Sequence, residues 1–398
     1  MPYRLLSVIS PRHFFWERAF RPFFMGAMLV SILAMAAWLV AMNGETQHGL
    51  NNALAHGHEM VFGYALATVA GFLLTAVLNW SRMTTASGGA LAFVFLLWAL
   101  ARIGWVSGAP LIWLVGFDLA FNLGLVALFV WPIWRKKLTA QAGLASKFVL
   151  LAGVQAGFYW AECSPSKEVW GLTAHDWLLA GLFLVLAINL TMLRRLLPFF
   201  TERSLHLAPF AERRGLDRGA LVSFLGLWPS LTFWPDHWVT SVIALSAFIV
   251  FLKRGLHWFH PGIISQPLLW PLHLAYAFIT LGLGLYAFTP CQPALTSLAL
   301  HSMTVGGIGL LCTAIIARIS LGHTQRNVFE PPRFLSAVFV FIAFAALVRV
   351  GLPGLWPQHT LIWWTLSAAL WILAFAWLLR LYWSILTRPN LPAPNQLR

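Results

Sequence analysis

Leu54–Trp80 reads LAHGHEMVFGYALATVAGFLLTAVLNW, in which two histidines and a glutamate come directly before a continuous apolar run. A run of about 20 apolar residues is long enough to cross a lipid bilayer as a helix. The start of this stretch recurs late in the chain, where 301–306 (HSMTVG) is similar to 58–63 (HEMVFG). We therefore expect a histidine near the head of two separate membrane helices.

The composition of the whole chain is typical of a membrane protein. Of its 398 residues, 60% are hydrophobic and 10% are charged, and the mean hydropathy is +0.76. Long apolar runs recur from end to end, so the sequence predicts an all-α polytopic membrane protein in which 1–398 forms a single membrane domain. The net charge of +14 does not indicate a nucleic-acid partner, because the basic residues are spread over short loops between apolar segments.

Hydropathy predicts about twelve transmembrane helices, at about 20 apolar residues for each crossing. The seventh and eighth are short, and the turn between them is compatible with a re-entrant segment. The predicted limits are 19–42, 58–80, 88–107, 110–134, 146–162, 176–200, 218–235, 237–253, 268–289, 294–319, 334–351 and 359–385.

Lysine and arginine lie almost entirely on one side of these helices. Of the 26 such residues, all but Arg102, Lys167 and Arg349 fall in the terminal segments or in the loops on the same side. Cytoplasmic loops carry such an excess, so both termini are predicted to be cytoplasmic. Cys163 and Cys291 fall in loops on the opposite side, where a disulfide and two free thiols both fit the sequence.

Two arginines near the outer ends of predicted helices indicate an internal repeat. Arg102 begins the triplet RIG and Arg349 begins RVG, and they are 247 residues apart, close to the 243 residues between His58 and His301. The first and last four helices therefore look like copies of one unit. With a diverged middle copy, we expect three pseudo-repeated four-helix units. Their limits are about 19–134, 146–253 and 268–385.

Histidines near the outer ends of these helices are candidate cofactor ligands. An ionisable group within a membrane span is rare and is a functional candidate by default. Neutral imidazole is an axial ligand for haem iron, and arginine pairs with carboxylates such as haem propionates. We expect His58 and His301 to hold haem, with Arg102 and Arg349 close by. In the alternative interpretation, the two arginines only extend toward the interface.

A bare metal ion is a second interpretation of the same region. His56 precedes His58 and Glu59 in the sequence HGHE, and imidazole suits copper and zinc. His56, His58 and His301 are therefore candidate metal ligands. His175, at the head of the predicted sixth helix, is a further candidate, although a purely structural role fits it equally well.

A second group of histidines lies on the cytoplasmic side. His273 is just inside the predicted ninth helix, and His323 follows the tenth. His301 and His323 would be about 33 Å apart in a continuous helix, so one metal cannot bind both. We expect His273 and His323 either to form a separate inner metal site or to join a polar network at the helix ends.

Several segments, taken together and in this order, resemble the NnrS family from about Arg21 to Arg326. The sequence departs from the family's pattern at Gln325, where we expect glycine. The segments are Arg21-Pro22-Phe23-Phe24, His56-Gly57-His58-Glu59-Met60 with Phe62-Gly63, Gly71-Phe72-Leu73-Leu74-Thr75-Ala76 before Asn79-Trp80, Pro198-Phe199-Phe200-Thr201-Glu202-Arg203, and Ser320-Leu321-Gly322-His323-Thr324.

The resemblance implies a bacterial inner-membrane protein of about twelve helices that contains haem and copper. It also implies a role in the nitric oxide response of denitrifying or nitrosatively stressed cells. The implied partners are nitric oxide, as a ligand, and an electron donor if the protein has a redox role. Whether the protein is a catalyst stays open. A transporter of a metal or metal-nitrosyl species would account for the repeats and the intramembrane histidines. A non-catalytic partner of a respiratory complex is the third hypothesis.

Overall fold

The apolar stretches form helices in the computed structural model, which describes Ser10, 13–42 and 52–392. A helix satisfies its own backbone N–H and C=O groups, as a lipid environment requires. The helices are α1 (Phe20–Ala41), α2 (52–81), α3 (Gly88–Ser107), α4 (Leu111–Arg135), α5 (Ala142–Cys163), α6 (Ala174–Leu205), α7 (Arg214–Phe233), α8 (Trp238–Trp258), α9 (Trp270–Tyr286), α10 (Leu295–His323), α11 (Leu335–Leu355) and α12 (Thr360–Thr387).

Among the described residues, ten of these helices are long and apolar enough to cross a membrane. They confirm the predicted all-α polytopic membrane protein. The other two are α7, whose first turns are charged, and α9, which has 17 residues. The number of crossings and the cytoplasmic termini stay predictions. Three of the basic residues behind the predicted orientation, Arg4, Arg12 and Arg398, lie outside the described residues.

Helices α2 and α10 each contain a π-helical segment directly after a histidine. In α2, the π-helical residues Glu59–Ala65 follow His58. In α10, Ser302–Gly309 follow His301. π-Helical turns are rare and occur frequently at functional sites. The two stretches that are similar in sequence therefore share an unusual backbone, and this draws attention to the histidine at the head of each.

A small β-hairpin joins α5 to α6. Strands β1 (Glu168–Val169) and β2 (Leu172–Thr173) pair antiparallel across a two-residue turn. Both turn residues, Trp170 and Gly171, have positive φ angles, which fits a type I′ turn. None of the three cysteines, Cys163, Cys291 and Cys312, forms a disulfide.

The chain divides into two compact units. Unit 1 takes the described residues up to Ile188, together with Ile316–Asn327 and the described residues from Leu378 onward. Unit 2 takes Asn189–Ile315 and Val328–Trp377. Three of the four boundaries fall inside α6, α10 and α12, the fourth follows Asn327 in the loop after α10, and they do not coincide with the three predicted four-helix units. The repeat stays a prediction.

In unit 1, a buried arginine at the start of α1 caps the end of α12. Nη1 of Arg21 donates to the carbonyl oxygens of Leu386 at 2.6 Å and Arg388 at 2.8 Å, and Nη2 donates to Oδ1 of Asn390 at 2.7 Å. The last carbonyls of a helix have no partner within the helix. Arg21 supplies donors to them and so ties the two helices together.

In unit 2, α9 and α10 approach closely at glycines. A Cβ atom at Gly306 would collide with Phe278, and one at Gly307 would collide with Ile279. Small residues allow membrane helices to pack at short distance. The glycines of this π-helical segment therefore serve helix packing.

Candidate functional site

A cluster of buried charged side chains in unit 1 lies around the head of α2. Arg102 on α3 donates from Nη2 to both carboxylate oxygens of Asp118 on α4, at 2.5 and 2.6 Å. Its Nη1 lies 3.3 Å from Oε1 of Glu59. Tyr159 on α5 donates to Oδ2 of Asp118 at 2.5 Å. The guanidinium is held between two carboxylates, which offsets the cost of placing charge within a membrane span.

His58 joins this cluster as a neutral imidazole. Its Nδ1 lies 3.1 Å from Oε1 of Glu59, and its Nε2 lies 3.1 Å from Nε2 of Gln155. Since Oε1 of Gln155 accepts from Asn122, the amide nitrogen of Gln155 is the donor to His58. This network assigns the proton of His58 to Nδ1, which donates to Glu59. Both ring nitrogens of His58 therefore have a protein partner.

Aromatic side chains enclose the same imidazole. The ring centroids of Trp105 and Phe158 are each 5.0 Å from that of His58, and the centroid of Phe62 is 5.1 Å away. The His58 side chain is completely buried. Protein side chains therefore enclose the His58 ring.

A groove of about 390 Å³ lies beside this cluster in unit 1. Helix α1, the head of α2 and helix α3 line it, and its walls are mostly apolar. The charged, imidazole and hydroxyl side chains among its lining residues are His56, Glu59, Arg102 and Ser107. The ring of His56 stacks on Trp38 with the centroids 4.7 Å apart. His56 thus lies at the groove, whereas His58 lies in the closed cluster.

In unit 2, His301 on α10 and Arg349 on α11 form a second site. Nδ1 of His301 lies 2.7 Å from the carbonyl oxygen of Ser297, one turn earlier in the same helix, to which it donates. Arg349 donates from Nη2 to Nε2 of His301 at 3.2 Å and to Oγ of Ser297 at 3.1 Å. Its guanidinium carbon lies 4.6 Å from the centroid of the Trp364 ring.

The surroundings of the Arg349 guanidinium differ from those of the Arg102 guanidinium. Among the residues that the structure describes, no acidic side chain pairs with Arg349, and its buried Nη1 has no hydrogen-bond partner. Only 8% of the residue is exposed. A buried guanidinium with an unused donor favours an anionic group as partner.

The other candidate histidines have separate surroundings. His175 is exposed at the head of α6, where the neighbouring Asp176 accepts from the backbone N–H and the hydroxyl of Thr173 at 2.9 and 2.7 Å. Thr173 and Asp176 therefore cap the N-terminus of α6.

Of the two inner candidates, one lies in each unit. In unit 2, Nε2 of His273 lies 2.9 Å from Oγ1 of Thr201. In unit 1, the ring of His323 stacks on Phe20 with the centroids 5.6 Å apart. Within the described part of the chain, no group of three or more His, Cys, Asp or Glu side chains is arranged to hold a metal ion.

Except for Glu59, the partners of Arg102 and His58 were not predicted from the sequence. Asp118 and Asn122 lie four residues apart on α4, and Gln155 and Tyr159 lie four residues apart on α5. Residues at this spacing share a helix face, and polar side chains within an apolar span are candidates for pairing. That spacing is the signal that could have identified them.

Comparison with protein-family models matches residues 14–390 to the NnrS protein family. The chain belongs to the NnrS family. The match covers nearly the whole chain, including both histidine sites. Among curated proteins, none matches this chain.

The two histidine sites fit the haem implied for an NnrS protein differently. His301 holds its Nδ1–H on a carbonyl oxygen and presents Nε2 as an acceptor, which is the arrangement of a ligating histidine. Arg349 beside it has an unused donor for a carboxylate. His58 would have to give up Glu59 or Gln155 before it could bind iron.

The residue directly after one of the NnrS segments has a left-handed backbone. Gln325, two residues after the end of α10 at His323, has a φ angle of +61°. A left-handed residue just beyond a helix end is most often glycine, because glycine lacks the Cβ atom that makes this conformation costly. The backbone therefore accounts for the glycine that we expect at this position.

Proposed function

We propose that this protein is a haem- and copper-containing protein of the bacterial inner membrane that binds nitric oxide and acts in its metabolism or in protection against nitrosative stress. His301 would hold the haem and Arg349 would pair with a propionate. Family membership and the geometry of this pair support the proposal.

The observation that carries the proposal is the state of His301. Because Ser297 accepts its Nδ1–H, the ring presents a lone pair on Nε2 in a fixed orientation. Arg349 now donates to that nitrogen and would be free to turn to an anion once Nε2 had another partner. When bound, haem would supply an iron centre at which nitric oxide can bind.

Copper fits the described residues less well than haem. His56 reaches the groove together with Glu59, but the described residues contain no cluster of three metal-ligating side chains. Copper is therefore part of the proposal through the family alone, and its ligands are not assigned.

Optical spectra and metal analysis of the purified protein test the proposal. We expect a Soret band that shifts when nitric oxide is added. His301→Ala should lose the band, whereas His359→Ala, at an exposed histidine of the same unit, should keep it. A Soret band of full intensity in His301→Ala, or protein without haem from haem-replete cells, would contradict the proposal.

The same preparation distinguishes the alternatives. A transporter of a metal or metal-nitrosyl species would move its substrate into proteoliposomes and carry no tightly held haem. A non-catalytic partner of a respiratory complex would keep its metal content and show no turnover of nitric oxide alone.

A further inference from the structure

The groove of unit 1 has the walls of a site for a flat ring. It is bounded by α1, the head of α2 and α3, and its volume of about 390 Å³ is in the range of small-molecule sites. Four aromatic side chains line it, and aromatic walls favour stacking with a planar ligand. They are Trp38, Phe95, Trp98 and Trp105.

The groove can be reached from the lipid. Leu29, Leu33, Ile103 and Val106 belong to its lining, and their side chains are between 41% and 63% exposed. They lie on α1 and α3, both of which are apolar enough to span a membrane. Exposed leucine, isoleucine and valine side chains on such helices face acyl chains. A ligand that reaches the groove by this route must be lipid soluble.

The polar end of the groove offers both an acceptor and a donor. The carboxylate of Glu59 lines it, and so does Arg102. Nε of Arg102 is buried and has no hydrogen-bond partner among the described residues, and the Arg102 side chain is only 5% exposed. A ligand with a hydroxyl group and a second oxygen could donate to Glu59 and accept from Arg102.

The charges around the groove disfavour an anionic lipid. Glu59 and Asp118 already share the single guanidinium of Arg102, and His58 is a neutral donor to Glu59. A fatty acid or a phosphate would place a third negative charge beside two carboxylates in a medium of low dielectric constant, where like charges repel strongly. A neutral head group fits these surroundings.

We propose that this groove binds a lipid-soluble quinol. One hydroxyl of the quinol donates to Glu59, the second ring oxygen accepts from Arg102, the ring lies among the four aromatic side chains, and the tail leaves between α1 and α3 into the lipid. Binding here requires neither haem nor copper.

Photolabelling in lipid nanodiscs tests the site. The probe is a radiolabelled azido-ubiquinone, and decylubiquinol, oleate and dodecanol are the competitors. We expect labelled peptides from 20–41 and 88–107, protection by decylubiquinol, and no protection by the other two at equal concentration. Equal protection by oleate would show a site for anionic lipids, and equal protection by dodecanol would show a site for any lipid alcohol; either result overturns the proposal.

Two variants examine the walls and the polar end separately. Ala34→Phe places a ring in the groove while Glu59 and Arg102 keep their own side chains, and it should reduce labelling about tenfold or more. Its control is Ala36→Phe on the same helix, outside the lining.

Glu59→Gln should weaken the binding of decylubiquinol about tenfold and that of decylubiquinone less, because only the quinol donates to the charged carboxylate. Labelling unchanged in Ala34→Phe would overturn the proposal even if Glu59→Gln failed to fold.

Discussion

Arg102 in unit 1 and Arg349 in unit 2 both lie beside a helix whose histidine precedes a π-helical segment, yet their charges have different partners. Arg102 contacts two carboxylates. Arg349 contacts a hydroxyl, an imidazole nitrogen and the face of Trp364. The first arrangement neutralises the arginine within the protein. The second leaves its positive charge for another partner.

The histidines differ in the same way. In His58, both ring nitrogens are engaged with side chains of other helices or of its own neighbour, and the ring is fully enclosed. His301 donates its Nδ1 proton to its own helix, and Arg349 donates to its Nε2. Similar sequence at two helix heads therefore need not make equivalent sites. Unit 1 supplies a closed polar network beside a groove, and unit 2 supplies a ligand and a cation.

The largest expected effect comes from removing each arginine in turn. Arg102→Leu leaves the fully buried carboxylate of Asp118 without a cation and should destabilise the protein by about 3–5 kcal/mol. Arg349→Leu strands no carboxylate and removes two hydrogen bonds, so it should cost about 1–2 kcal/mol. Thermal unfolding in detergent, followed by size-exclusion fluorescence, measures both.

The double variant Arg102→Leu with Asp118→Leu is the control for this pair. Removing both should recover part of the loss, because the fully buried charge of Asp118 is removed together with its partner and only the less deeply buried Glu59 is left without a cation. Equal melting temperatures for Arg102→Leu and Arg349→Leu would contradict the contrast between the two units.

A third buried arginine separates the effect of burial from the effect of carboxylates. Arg21 is 3% exposed and donates to backbone carbonyls at the end of α12. Arg21→Leu should cost about 1.5–3 kcal/mol, as expected for hydrogen bonds to a charged group, and so should fall between the other two arginines. Hydrogen exchange should show increased opening of the last turn of α12. Exchange unchanged in that turn would argue against a capping role.

The sequence predicted the helices well because a membrane imposes their length and apolarity. It also singled out His58, His301, Arg102 and Arg349 from their matched positions. It could not predict that Arg349 would contact His301 directly while Arg102 would turn to Asp118. Which side chains meet depends on how each helix is rotated about its axis.

Helix rotation leaves little trace in segments that are apolar on every face. The π-helical segments were likewise not predicted, since no characteristic amino-acid composition accompanies a shift from i→i+4 to i→i+5 hydrogen bonds. At Gln325, by contrast, the glycine expected from the family resemblance already indicated the backbone conformation, because the backbone there is left-handed.

The smallest expected effect comes from the same Gln→Gly substitution made once in each unit. The two expected changes in stability have opposite signs. Gln325 in unit 1 has a φ angle of +61°, where a side chain with a Cβ atom costs about 1–2 kcal/mol. Gln266 in unit 2 has a φ angle of −102°, which any residue adopts. Gln325→Gly should therefore raise the stability by about 0.5–1 kcal/mol after the greater chain entropy of glycine is counted, whereas Gln266→Gly should lower it by about 0.4–1 kcal/mol. Thermal unfolding of the two variants side by side gives the signs directly. A loss of stability in both would mean that the turn after α10 relaxes in solution to a conformation with negative φ, and the glycine expected there would then need a reason other than backbone geometry.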